Sequence, residues 1–178
     1  MNRLLSLTAL GLALASAAFT ATQADAATRR VVRPNGAGGT TAISLHAHEG
    51  PNGGAMARGR AVKTDGQGDA SVATGAALRG PNGGSAARAG RTTRSADGSI
   101  QHASGFNAQS AKGSVSSNGS ATRSADGTVT QDRTTSATSA ATGNSATTTT
   151  SYNSSDGRTR TTTCYDASGA TIACPTRP

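Results

Sequence analysis

Asp-Gly recurs at Asp65-Gly66, Asp97-Gly98, Asp126-Gly127 and Asp156-Gly157, roughly every 30 residues. A second marker, Gly-Pro-Asn-Gly-Gly, begins at Gly50 and again at Gly80. A chain punctuated this regularly repeats one small, turn-centred unit. The best-matched copies are Thr93-Arg94-Ser95-Ala96-Asp97-Gly98-Ser99-Ile100 and Thr122-Arg123-Ser124-Ala125-Asp126-Gly127-Thr128-Val129. Ser-Ala-Asp-Gly suits a type I turn, with Gly in the left-handed position that follows. Asp belongs there because its carboxylate accepts from nearby backbone N–H groups. Thr before the turn, and Ile or Val after it, favour extended arms. The predicted local structure is the short β-hairpin, with Asp65, Gly66, Asp97, Gly98, Asp126, Gly127, Asp156 and Gly157 as turn formers.

Little apolar material is available to fold these hairpins together. After Ala26, Leu, Ile, Val and Phe amount to only 12 residues in 152, about 8%, where below about 20% signals a chain unable to build an ordinary core. The expected fold class is therefore a mostly disordered, low-complexity chain carrying all-β hairpin repeats. Successive hairpins would pair as an irregular meander or a thin solenoid. The aspartate spacings of 32, 29 and 30 residues are too uneven for a strict solenoid. Ser/Thr/Ala stretches such as Thr134 to Thr150 have no clear period and read as linker or disorder.

Four segments follow from this reading. Residues 1–26 read as a helical secretory signal peptide: Arg3 in the n-region, an apolar run from Leu4 to Ala18, and Ala24-Asp25-Ala26 as a small-x-small cleavage site. Residues 27–49 form a basic, mostly irregular lead-in, in which Arg29 to Arg33 is extended before a Pro34-Asn35-Gly36 turn. Within it, Thr41 to His46 alternates apolar and polar residues and predicts a strand. Residues 50–143 hold the Gly/Ser/Thr-rich hairpin repeats. Residues 144–178 form a divergent repeat in which Cys164 and Cys174 flank the turn residues Asp166-Ala167-Ser168-Gly169. In an exported protein this pair is most simply a disulfide pinning one hairpin. The mature chain is expected to carry no transmembrane segment.

The formal charge is +8, and 15 of the 17 basic residues are Arg. Excess positive charge on an exported chain favours polyanions: lipopolysaccharide phosphates, anionic glycans or extracellular DNA. Charge spread thinly along a Gly/Ser/Thr-rich chain also serves solubility alone. Only Phe106, Tyr152 and Tyr165 are aromatic after residue 26, too few stacking platforms for sequence-specific nucleic-acid binding.

Catalytic motifs are missing: there is no Gly-x-Ser-x-Gly elbow, no His-Glu-x-x-His, no phosphate-binding Gly-x4-Gly-Lys and no Cys-x2-Cys. The expectation is a non-enzymatic protein with no cofactor. His46-Ala47-His48-Glu49 is the one cluster with ligand chemistry. On a strand, His46 and His48 share a face and could meet Cu(II), Ni(II) or Zn(II), with Glu49 nearby. Its plainer reading is a polar strand end before a turn. Asp65-Gly66-Gln67-Gly68-Asp69 lacks a full calcium-loop pattern and reads as turn chemistry.

The tandem of Gly-Pro-Asn-Gly-Gly, Thr-Arg-Ser-Ala-Asp-Gly-Ser/Thr, Thr142-Gly143-Asn144-Ser145 and Thr163-Cys164-Tyr165-Asp166-Ala167-Ser168-Gly169 resembles uncharacterised Gly/Ser/Thr-rich exported repeat proteins of proteobacteria. That resemblance implies a bacterial periplasmic or secreted product and carries no activity or binding residue with it. The first functional expectation is a cell-envelope or extracellular structural protein acting as spacer, coat or matrix. The alternative is a basic module that binds anionic surface polymers through its distributed arginines.

Overall fold

Strand follows strand through a computed structural model that describes residues 27–50 and 52–175; the expected signal peptide lies outside them. The strands are β1 (Ala27–Pro34), β2 (Thr40–Glu49), β3 (Ala55–Thr64), β4 (Ala70–Arg79), β5 (Ser85–Arg94), β6 (Ile100–Ser110), β7 (Gly113–Arg123), β8 (Val129–Ser139), β9 (Ser145–Asn153), β10 (Gly157–Tyr165) and β11 (Thr171–Ile172). They form one 11-stranded antiparallel meander in chain order, β1 through β11. The predicted hairpins are therefore present, joined into a continuous sheet. At about 4.7–4.9 Å per strand the sheet runs to roughly 50 Å.

Two sequence expectations give way here. The lead-in, expected to be mostly irregular, is two paired strands, β1 and β2, the second containing the strand predicted over Thr41 to His46. The stretch read as linker or disorder, Thr134 to Thr150, lies mostly in β8 and β9, which pair from Thr130↔Asn153 to Thr138↔Ser145. The sheet runs without a break from β2 to β3 past Gly50 and from β8 to β9 past Asn144. Thr-rich strands pair well because β-branched side chains fit a pleated surface. Hydroxyls also meet across strands: Thr122 with Thr130 at 2.6 Å, Thr148 with Thr162 at 2.9 Å, and Ser136 with Thr147 at 3.0 Å.

The sheet is a single layer. Among the described residues only Cys164 and Ser117 are buried, at 5% and 7% exposure. With water on both faces, no strand is obliged to alternate apolar with polar residues. That removes the period on which strand recognition depends.

Turn chemistry organises both ends of the sheet. The Ser95 carbonyl accepts from the Gly98 N–H (2.9 Å), the Ser95 N–H donates to the Ser99 carbonyl (3.0 Å), and Gly98 has φ +86°. This is the predicted type I turn with a left-handed glycine. Ser124 to Thr128 repeats it, as does Gly80 to Gly84, one of the Gly-Pro-Asn-Gly-Gly copies. Neighbouring connections also interlock. Asn35 Nδ2 donates to the Thr64 carbonyl (2.8 Å), Asp69 accepts from the Ala96 N–H (2.7 Å), and the Ala140 N–H donates to the Lys112 carbonyl (3.0 Å).

Candidate anion-binding face

Antiparallel pairing places directly opposed residues on the same face, so the register sorts every strand position. One face carries Arg30 on β1, Arg58 and Arg60 on β3, Arg88 and Arg94 on β5, Arg123 on β7, Arg133 on β8, and Arg158 and Arg160 on β10. Among the described residues, no Asp or Glu occupies a strand position on that face; Glu49 and Asp132 point to the other. On the opposite face of β2–β5, Ala47, Ala57, Ala77 and Ala87 stand in one cross-strand row beside Gly59 and Gly75.

One row of the arginine face sets its shape: Arg60, Thr74, Gly90, Ser104, Gly119 and Arg133 oppose one another in turn. Between the two arginines the side chains are absent or short, which leaves an open trough of about 680 Å³. Phe106 and Arg88, opposed to each other in the next row, rise along one flank. His102 leans in from the other, its Nδ1 2.9 Å from Thr92 Oγ1.

Arg133 is held in place. Its Nη1 donates to Ser117 Oγ (3.0 Å) and its Nη2 to Ser104 Oγ (3.5 Å). Ser117 Oγ in turn sits 2.9 Å from Thr135 Oγ1. The guanidinium crosses β7 directly above Gly119, where an added Cβ would lie 3.3 Å from Cζ. A Cβ there would also lie 3.1 Å from the Asp132 carbonyl oxygen, so the glycine leaves room for both groups. Guanidinium has five N–H donors in a rigid fork. With two directed at serines, the others are free to meet an anion.

The residues singled out in the sequence are placed as follows. Asp65, Gly66, Asp97, Gly98, Asp126, Gly127 and Asp156 lie in the connections, and Gly157 opens β10 with φ +81°. Hydrogen bonds hold three aspartates below the usual carboxylate range. For Asp97 the Ser99 hydroxyl and then its N–H are responsible, for Asp126 the Thr128 N–H and hydroxyl, and for Asp166 the Ser168 hydroxyl and the Ala170 N–H. Cys164 and Cys174 form the expected disulfide, their Cα atoms 5.2 Å apart. His46 and His48 do share a face, the arginine face, and His46 Nδ1 is 3.0 Å from Thr28 Oγ1. Glu49, expected beside them, points to the opposite side because adjacent strand residues alternate. Among the described residues no three His, Cys, Asp or Glu side chains converge as a metal site.

The sidedness of the arginines, and the bonds from Arg133 to Ser104 and Ser117, are not visible in the linear sequence. The signal available for sidedness is the two-residue spacing of Arg58 with Arg60 and of Arg158 with Arg160. No family model, curated protein or solved structure matches the chain significantly. Among the described residues no helix is long and apolar enough to cross a membrane.

Proposed function

We propose that this chain is a non-enzymatic, exported protein of the cell envelope or extracellular space, a thin structural sheet that engages anionic polymers through its arginine face. One observation carries the reading: Arg30, Arg58, Arg60, Arg88, Arg94, Arg123, Arg133, Arg158 and Arg160 share a side that, among the described residues, has no strand carboxylate. Positive charge gathered without internal neutralisation raises the local concentration of polyanions and speeds their association. Charge meant only for solubility has no need of a side. The structural and the polymer-binding expectations thus meet in one object, a long board with one basic surface.

Chromatography of the oxidised protein on immobilised heparin and on lipopolysaccharide tests this. Retention well above physiological salt is expected. A variant with Arg58, Arg88 and Arg133 changed to Ser should elute at markedly lower salt than one with Arg29, Arg79 and Arg91 changed to Ser, which removes equal charge from the other face. Elution of the unaltered protein near physiological salt, or equal elution of the two variants, defeats the reading.

A further inference from the structure

Within this basic face, and resting on the polymer-binding reading above, the trough has features that diffuse charge attraction does not require. Its floor is Thr74, Gly90, Ser104 and Gly119, offering two hydroxyls and two gaps. Guanidinium groups stand on β3 (Arg58 and Arg60) and on β5 (Arg88), and that of Arg133 reaches from β8 back over β7. Along the sheet they therefore recur about every second strand, an interval near 9.5 Å. Phe106 is 38% exposed with its ring beside this line. An exposed aromatic flanking polar donors is the usual arrangement for stacking on the apolar face of a ring.

The geometry points to a subsite for an acidic polysaccharide, a uronate-type chain lying across the strands with one carboxylate at each guanidinium position. An extended disaccharide is about as long as two strand spacings, so a chain charged at alternate sugars keeps step with the arginines. Arg88 and the preorganised fork of Arg133 take carboxylates, while the Thr74 and Ser104 hydroxyls face the sugar hydroxyls and Phe106 covers one ring. Nucleic acid fits less well. A duplex carries a phosphate about every 3.4 Å along each strand, far denser than this array, and single-strand binding relies on successive aromatic platforms, of which the trough has one.

Isothermal calorimetry on the oxidised protein tests the assignment with three probes: a tetrasaccharide with a uronate at alternate sugars, a neutral tetrasaccharide, and an oligodeoxythymidylate of the same charge as the uronate. The uronate should bind tightest of the three. Arg133→Lys keeps the charge but loses the fork, and Phe106→Ala loses the platform. Each should weaken uronate binding about tenfold, the scale of one charge-assisted hydrogen bond for Arg133 and of one stacking contact for Phe106, and Ile172→Ala on β11 should leave it unchanged. Gly119→Ala, which crowds the guanidinium without altering charge, should act in the same direction as Arg133→Lys. If the oligonucleotide binds as tightly as the uronate, the sugar assignment falls and polymer binding stands. If Arg133→Lys and Phe106→Ala bind the uronate as the parent does, the subsite falls. Failure of the protein to bind any probe overturns the subsite too, and retention on the heparin column then decides separately whether the broader reading survives.

Discussion

Four glycines separate two physical reasons for glycine in a single-layer sheet, and alanine substitution should rank them. Gly36 has open space around its missing Cβ and no unusual dihedral. Gly98 also has open space, but its φ is +86°. At Gly39 the dihedral is ordinary, but an added Cβ would overlap the Thr64 carbonyl oxygen at 2.0 Å. Gly113 combines both problems, with φ +144° and a Cβ position 2.1 Å from the Thr138 oxygen. Gly36→Ala should therefore lie within about 1 kcal/mol of the parent, and on the stabilising side if the unfolded chain loses entropy. Gly98→Ala should cost about 1–2 kcal/mol from the left-handed dihedral alone. For Gly39→Ala the backbones must separate, breaking the bonds from Asn35 Nδ2 to the Thr64 carbonyl (2.8 Å) and from the Thr40 N–H to Thr64 Oγ1 (3.0 Å). Two such bonds at about 0.5–1.5 kcal/mol each give about 1–3 kcal/mol. Gly113→Ala adds a dihedral penalty of about 1–3 kcal/mol to the loss of the Ala140–Lys112 bond and adjacent pairing, for about 2–6 kcal/mol in all. Urea unfolding followed by circular dichroism measures all four on one scale. If Gly113→Ala proved no more costly than Gly98→Ala, or Gly39→Ala matched Gly36→Ala, close backbone contact between hairpins would not be what these positions require.

Acid should loosen the turns in a defined window. Asp97, Asp126 and Asp166 have folded-state pKa values below the ordinary 3.8. Their contribution is complete above that value and is lost as pH falls below it through the folded values. The unfolding midpoint should change little through these groups from pH 7 to 5 and drop below pH 4. Changing all three to Asn should flatten that drop, and an equally steep decline in the triple variant would refute the assignment. Reducing Cys164–Cys174, which closes a separation of 10 residues, should remove about 2–3 kcal/mol from the C-terminal hairpin. Amide exchange should speed at Thr171 and Ile172 while β9–β10 stays protected; loss of protection along β9 would mean that the disulfide supports the whole sheet.

Much of the local structure was legible. Ser95 to Ser99 and Ser124 to Thr128 take the turn that their residue types call for, since carboxylate-to-amide bonding and a left-handed glycine act within a few residues. The Cys164–Cys174 pair was legible because two isolated cysteines flank the turn residues Asp166 to Gly169 in a chain read as exported. Strands β8 and β9 were not, because a strand with water on both faces has no binary pattern to read. Their order comes from partners in the neighbouring strands, which residues 134–150 do not name.

Sidedness of the arginines stands between these cases. A connection holding five residues between its last paired positions, as between Arg94 and Ile100, keeps even-numbered residues on one face from strand to strand. The two-residue link between Ser110 and Gly113 switches that face to odd numbers, and the six residues between Thr138 and Ser145 switch it back. Arg88 and Arg133 therefore share a side although one number is even and the other odd. The amino acids alone determined the turns, the disulfide and the lack of an ordinary core, because those depend on nearby atoms or on composition. Only pairing between strands decided that nine guanidinium groups face one way, since each strand's facing is inherited through the register of every hairpin before it.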